Sequence, residues 1–213
     1  MSFYKQITSE HLDILKEVGN IGAGNAATAL SQLLNKPIDM TVPNVKIVSF
    51  DEMMEMMGGA DNVIASVFLR IEGQAKGSMF FMLPLEQASR FIQKMTGITN
   101  VSFNAPPYDE ISISALQEAG NILSGSYLSA FSDFTKLKLY PSVPALAIDM
   151  VGAVLSYGLI EICRVTDYAI VIDTSVFEHE NPDTEKINGH FLLLPDPDSF
   201  PKIFKSLGVP TDG

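Results

Sequence analysis

The chain has 213 residues, 46% of them hydrophobic and 18% charged, which is enough apolar material for one sizeable core or two small, closely packed cores. Its net charge of −11 and its 14 lysines and arginines disfavour nucleic acid and anionic membranes as partners, because both are bound through clustered cations. The chain has no signal-peptide pattern and no apolar run near the roughly 20 residues of a membrane span, and its lone cysteine, Cys163, fits a reducing compartment. We therefore expect a cytoplasmic globular protein.

Helical apolar spacing predicts a first long helix over residues 9–34, and Pro43 marks the entry to a strand over residues 45–50. The methionine-rich segment 51–57 favours a short core-packing helix over an adaptable interaction surface. Residues 63–71 and 78–83 indicate a hairpin, and a closing helix over residues 87–96 is expected to end at Gly97. The second half repeats this order, with a strand over 145–148 after Pro144, a hairpin over 168–177 and 189–194, and a helix over 200–207.

An internal repeat underlies this order of elements. Residues 13–43 align without a gap on residues 114–144, with ten identities in 31 positions, including Asn20/Asn121, Val42/Val143 and Pro43/Pro144. A second match pairs Phe80 with Phe191 at a spacing that is ten residues longer, and we place the extra residues in segment 178–186. A period near 100 residues is typical of a duplicated half-domain rather than a solenoid.

The repeat predicts a mixed α/β (α+β) fold with pseudo-two-fold symmetry. Residues 1–213 should form one domain with internal repeats over about 9–100 and 110–209. Two long helices would pack on a mainly antiparallel sheet. The duplication already supplies a two-fold, so a monomer is expected.

Each long helix carries a polar stripe. Asp13, Glu17 and Asn20 fall at i, i+4 and i+7 on one helix face, and Ser114, Glu118 and Asn121 repeat that spacing. A single Glu-x-x-Asn on a helix is usually a solvated face, but its recurrence in register favours a function. Glycine in a helix interior costs about 1 kcal/mol relative to alanine, so we expect the nearby glycines to let a partner approach the helix closely. They are Gly19, Gly22, Gly24, Gly120 and Gly125.

The pattern Asp/Ser-x-x-x-Glu-x-x-Asn, followed after 22 residues by proline, resembles the signature of the CheC/CheX/FliY family of CheY-phosphate phosphatases. Both copies match it fully, from Asp13 to Pro43 and from Ser114 to Pro144, with Gly19 and Gly120 inside the motif. The resemblance covers essentially the whole chain, and two motif copies are the arrangement of the CheC branch. Asp13 against Ser114 is the one difference, and it leaves room for two unequal sites.

The resemblance implies a chemotaxis phosphatase that hydrolyses the aspartyl-phosphate of the response regulator CheY. Glu17 and Glu118 would pair with the regulator's lysine, and Asn20 and Asn121 would orient the attacking water. The chain would need no cofactor of its own, because the phosphorylated regulator brings Mg²⁺. The three histidines, His11, His179 and His190, lack the spacing of metal ligands.

Two other functions are compatible with the residues. Proteins of this family also bind CheD, the receptor glutamine deamidase, so the chain could be mainly a regulatory binding module with little phosphatase activity. Asp149, in an apolar stretch, is the candidate contact for that partner, although a strand-end or helix N-cap aspartate is the commoner explanation. A glycosidase that uses Glu17 and Glu118 as a carboxylate pair is the third interpretation, and it gives the asparagines no role.

Overall fold

The computed structural model describes residues 7–159, 168–178 and 186–208, in which one order of seven elements occurs twice. The first half consists of α1 (Ser9–Leu34), β1 (Ile38–Thr41), β2 (Val45–Ser49), α2 (Phe50–Met56), β3 (Val63–Gly73), β4 (Gly77–Pro84) and α3 (Leu85–Thr96). The second half consists of α4 (Glu110–Thr135), β5 (Leu139–Pro141), β6 (Ala145–Met150), α5 (Val151–Leu159), β7 (Tyr168–Glu178), β8 (Ile187–Pro195) and α6 (Phe200–Ser206). Within the described part, no helix is both long and apolar enough to cross a membrane.

The eight strands form one antiparallel sheet in which the two halves exchange strands. Its strand order is β1-β7-β8-β4-β3-β5; in addition, β2 pairs with β7 and β6 pairs with β3. The short strands of each half therefore pair with the long hairpin of the other half, Val45 opposite Ile172 and Leu146 opposite Val67. The predicted mixed fold with a mainly antiparallel sheet is confirmed.

The pseudo-two-fold axis passes through the central pair β4–β8. Phe80 lies opposite Leu192, and Phe81 lies opposite Phe191. In the repeat, Phe80 is equivalent to Phe191 and Phe81 is equivalent to Leu192, so the two-fold relates one pair to the other. The rings of Phe81 and Phe191 stack with their centroids 4.7 Å apart. The two halves are thus joined by buried side chains at the centre of the sheet.

Each face of the sheet carries its own hydrophobic core. The larger core lies under α1 and α4 and includes Leu15, Leu30, Leu116 and Phe191, all no more than 2% exposed. The smaller core, on the opposite face, contains Met53 and Met57 together with residues of α5. The interpretation of segment 51–57 as a core-packing helix is therefore confirmed. The two long helices are left on one outer surface, where their solvent-facing sides are available to a partner.

Three details of the sequence interpretation were wrong. Strands β1 and β5 were missed, because three- and four-residue strands beside prolines show no measurable alternation. Phe50 begins α2 instead of ending a strand. The ten extra residues of the second half do not all lie in one connection. Equivalent residues are 101 apart in the long helices, 105 apart at Val67 and Ile172, and 111 apart at Phe80 and Phe191. Four of the extra residues therefore precede β7, and six follow it. Cys163 and most of segment 178–186 lie outside the described residues.

Candidate functional site

The two long helices begin at local signals and run for 26 residues each. Asp109 caps α4: its Oδ2 accepts hydrogen bonds of 2.8 Å from both the Oγ and the main-chain N–H of Ser112, and these bonds hold the pKa of that carboxyl below its usual range. Both helices end at a residue in the left-handed conformation, Asn35 and Lys136. Each helix is also packed along its buried face, so its outer face has a fixed orientation on the sheet.

The polar stripes lie on these outer faces. Asp13, Glu17 and Asn20 are all exposed on α1, and Ser114, Glu118 and Asn121 are all exposed on α4. The helix spacing places each trio on one face, and the pseudo-two-fold relates the two faces. The two glutamates are on separate helices in open solvent, which gives no enclosed cleft for a carboxylate pair.

At the first stripe, the asparagine is tied to the main chain of the loop that carries the motif proline. The N–H of Val42 donates to Asn20 Oδ1 at 3.2 Å, so the side-chain oxygen faces the loop. Val42 itself is 2% exposed and packs near Gly19, while Pro43 is exposed beside it. This bond restricts the rotation of the Asn20 amide, which remains on the surface.

At the second stripe, a different side chain tethers the loop. Gln117 Nε2 donates to the carbonyl oxygen of Pro144 at 3.4 Å, and within the described part no hydrogen bond reaches the side chain of Asn121. Val143, the equivalent of Val42, is 87% exposed. Two identical valines at matched positions therefore have opposite environments, and the two sites are not copies of each other.

The glycines do not all serve a partner's approach, contrary to expectation. A Cβ on Gly120 would lie 2.4 Å from Val67 of β3, and one on Gly22 would lie 3.0 Å from the Cα of Tyr127 on α4. A Cβ on Gly19 would be in ordinary van der Waals contact with Val42 and Ile172, at 3.4 and 3.5 Å. Gly22 and Gly120 therefore let the helices pack on each other and on the sheet. A Cβ on Gly24 or Gly125 would meet no heavy atom within 4 Å, so at those two positions the surface is open.

Each stripe leads into a groove between the long helix and the first strand of its half. The groove beside α1 runs from Gly24 past Thr28 and Ser31 to Ile38. Its counterpart beside α4 runs from Gly125 past Ser129 and Ser132 to Leu139, in positions equivalent by the repeat. A partner docked on either stripe would meet a concave surface at the C-terminal end of the stripe.

Asp149 lies on the opposite face of the molecule, on the edge strand β6. It is exposed and lines an apolar groove with Phe68, Phe80 and Val154. Its Oδ1 accepts from the N–H of Met150 at 2.7 Å, where α5 begins one residue later. The structure therefore places Asp149 on the face of the sheet that is opposite the stripes, on a surface of its own.

The histidines have structural surroundings where they are described. His11 Nδ1 accepts from the N–H of Thr8 at 2.7 Å, and its ring packs edge-on against Phe204. His190 Nδ1 lies 2.8 Å from Asp173 Oδ1 on the other side of the sheet, and His179 lies outside the described residues. Among the residues that the structure describes, no three His, Cys, Asp or Glu side chains are placed to hold a metal ion.

Sequence reasoning missed three contributors to the site: the main-chain N–H of Val42, the amide of Gln117 and the exposed side chain of Val143. A hydrogen bond from a main-chain N–H cannot be inferred from the residue types in a sequence. Gln117 aligns with Lys16 in the repeat, and this mismatch was the only available signal. The two valines are identical, so no comparison of the two halves could have separated them.

Comparison with known proteins places these stripes in a family. The model of the CheC-like family matches residues 10–47 and 111–148, which contain both stripes and both prolines. The chain is 51% identical over 209 residues to the CheY-P phosphatase CheC of Bacillus subtilis, covering 98% of this chain and 99% of the relative.

Solved structures share the fold at lower identity. FliY of Thermotoga maritima superposes with a TM-score of 0.73 at 22% identity, over 95% of this chain and 98% of the other. CheX of Borrelia burgdorferi, crystallised with CheY, BeF₃ and Mg²⁺, has a TM-score of 0.52 at 16% identity, over 82% of this chain and 96% of the other. At these identities the structural likeness concerns the fold alone.

Proposed function

Because the chain belongs to the CheC-like family, we propose that it is a phosphatase that hydrolyses the aspartyl-phosphate of phosphorylated CheY at its two polar stripes. The observation that carries this proposal is the paired, outward placement of glutamate and asparagine on two long helices related by the pseudo-two-fold. A substrate that is itself a folded protein requires an open surface rather than an enclosed pocket. The 51% identity to a CheY-P phosphatase over nearly the whole chain supports the choice of substrate.

The chemistry requires positioning rather than a nucleophile from this chain. Water attacks phosphorus in line with the bond to the regulator's aspartate, that P–O bond breaks, and the aspartate leaves as a carboxylate. The water's proton passes to the phosphate product or to solvent. The regulator's Mg²⁺ is part of the substrate and neutralises the phosphoryl oxygens. A hundredfold acceleration corresponds to about 2.7 kcal/mol of barrier lowering, which positioning alone can supply.

Each stripe residue has a distinct role in this proposal. Asn20 and Asn121 accept a hydrogen bond from the attacking water and so aim its lone pair at phosphorus, a task suited to a neutral amide beside an anion. Glu17 and Glu118 pair with a lysine of the regulator and fix the docked orientation. At the first stripe, the N–H of Val42 occupies one lone pair of Asn20 Oδ1 and leaves the second for the water.

A regulatory module that binds the deamidase CheD is the alternative. The exposed Asp149 beside an apolar groove, on the face away from the stripes, would allow this role to coexist with catalysis. A module of this kind without phosphatase activity would not depend on the stripe asparagines. The same set of variants therefore separates the two functions.

The test compares dephosphorylation of Mg²⁺-loaded CheY-phosphate by the unmutated chain, Glu17→Ala/Asn20→Ala, Glu118→Ala/Asn121→Ala and the fourfold variant. We expect each double variant to lose part of the acceleration and the fourfold variant to lose all of it. Because the four side chains are exposed, circular dichroism should show unchanged folding.

The matched control replaces an exposed glutamate and an exposed asparagine elsewhere, Glu55→Ala/Asn100→Ala, and should retain the full rate. If the fourfold variant still accelerates the decay, the stripes are not the active sites. If the unmutated chain leaves the decay unchanged, the phosphatase proposal fails and the binding module remains.

A further inference from the structure

The two stripes differ in chemical character beyond the motif residues. One turn before the motif, the first stripe begins with Glu10 and the equivalent position of the second is Ile111, which is 62% exposed. Both residues lie on the stripe face by helix periodicity. The first stripe therefore presents three carboxylates, from Glu10, Asp13 and Glu17, whereas the second presents one carboxylate and an apolar side chain.

The loops beside the two stripes also differ, because the valine of one is buried and the valine of the other is exposed. At the first stripe Val42 is buried and its N–H is bonded to Asn20, so this valine is not offered to solvent, although Pro43 beside it is exposed. At the second stripe Val143 is 87% exposed in a loop that Gln117 ties to α4 through Pro144. Ile111 and Val143 thus flank Glu118 and Asn121 from the helix and from the loop, and we name this pair the apolar rim.

We infer that the two sites dock the same phosphorylated regulator by different forces: the second through the apolar rim, and the first through its carboxylates. This inference rests on the proposed phosphatase function, because the occupant is the substrate of that function. Ile111 lies on the stripe face, and the Gln117 bond holds the loop of Val143 against the same helix, so a protein whose phosphoaspartate reaches Asn121 would meet both side chains. Burial of the two side chains stabilises the complex without taking part in the hydrolysis.

The prolines on either side favour Val143 as a docking contact. Pro141 and Pro144 restrict the loop, and the Gln117 bond holds it on the helix, so little conformational freedom is lost when a partner covers Val143. Ile21, which follows Asn20, is 41% exposed, whereas Ile122, which follows Asn121, is partly buried. The contacts that the test addresses are Ile111 and Val143 at one site and Glu10 at the other.

The experiment measures kcat and KM for Mg²⁺-loaded CheY-phosphate with one site active at a time. In the background Glu17→Ala/Asn20→Ala, the change Ile111→Glu/Val143→Ser should raise KM about tenfold, equivalent to about 1.4 kcal/mol, with kcat within about twofold. The control Leu33→Ser in the same background removes an apolar side chain that is 52% exposed but lies off the stripe, and should leave both constants unchanged.

Two further measurements test the first site. In the background Glu118→Ala/Asn121→Ala, raising the salt from about 0.05 M to about 0.5 M should raise KM more than it does at the second site, because salt screens exposed charges. Glu10→Ile in that background should reduce the salt dependence.

An unchanged KM in the rim variant, or equal salt dependence at the two sites, would overturn the inference while leaving the phosphatase proposal intact. Absence of any acceleration by the unmutated chain would remove both.

Discussion

At the scale of single residues, Gly22 and Gly24 are two positions apart on one helix and have opposite reasons to be glycine. Gly22 is buried against Tyr127, and Gly24 lies in open surface at the end of the first stripe. Only the second position therefore leaves room for a partner. The same substitution at both positions separates internal packing from docking.

Gly24→Ala should raise the free energy of unfolding by about 0.5–1 kcal/mol, because alanine favours a helix interior and its Cβ meets nothing. Gly22→Ala should lower it by about 1–3 kcal/mol, because its Cβ would press on the main chain of Tyr127. Urea unfolding measures both changes.

In a background where only the first site is active, the more stable Gly24→Ala variant should show a higher KM for CheY-phosphate. An unchanged KM would mean that the regulator does not approach the helix at this glycine. Neither packing nor docking would then explain why position 24 is glycine.

At the scale of elements, a buried tyrosine is one of the side chains that hold α4 on the sheet. Tyr127 is 3% exposed, its ring centroid lies 4.2 Å from that of Phe191, and its hydroxyl is 3.1 Å from Thr174 Oγ1 on β7. Burial raises the pKa of Tyr127 to about 12, while its bond to Thr174 acts in the opposite direction. The packing of α4 on the sheet is therefore favoured while the Tyr127 side chain is uncharged.

This dependence predicts an alkaline loss of stability. The folded chain holds the Tyr127 proton more tightly than the unfolded chain, whose tyrosine pKa is about 10. The contribution of the Tyr127 proton to the free energy of unfolding is complete below pH about 10. It is lost, by up to about 1.4 kcal/mol per pH unit, as the pH rises toward about 12. Tyr127→Phe should be less stable by about 1 kcal/mol at pH about 8 and should lose this disadvantage by pH about 11. A difference that stays constant with pH would contradict the assignment.

Helices and hairpins were predictable because the repeat supplied each pattern twice. The predicted bounds of α1 match the structure, and the glycines after α3 and α6 lie in the left-handed conformation as expected. Strands β1 and β5 were not predictable, since they exist only through pairing with hairpins about 70 to 140 residues away in the chain. Helix spacing also predicted the two stripes. It could not give the burial of Val42 or the exposure of Val143, which depends on how each loop packs.

At the scale of the whole molecule, strand exchange joins the two halves in one sheet, and we expect them to unfold together. Each half lends two strands to the other, and β4 and β8 join them at the centre of the sheet. Neither half can complete its sheet alone. A change at the centre should therefore destabilise both halves together, although each half carries its own stripe.

Phe191→Ala tests this coupling, since Phe191 is fully buried and stacks on Phe81 of the other half. The loss should be about 3–5 kcal/mol, as for a large aromatic side chain removed from a core. Hydrogen exchange followed by mass spectrometry should show protection falling equally in β4 and β8, and in β2 and β6 at the far ends of the sheet. The control Phe134→Ala removes a phenylalanine that is 40% exposed and should change protection little. If protection falls only in the second half, the exchanged strands do not couple the halves, and the two sites rest on independently folding units.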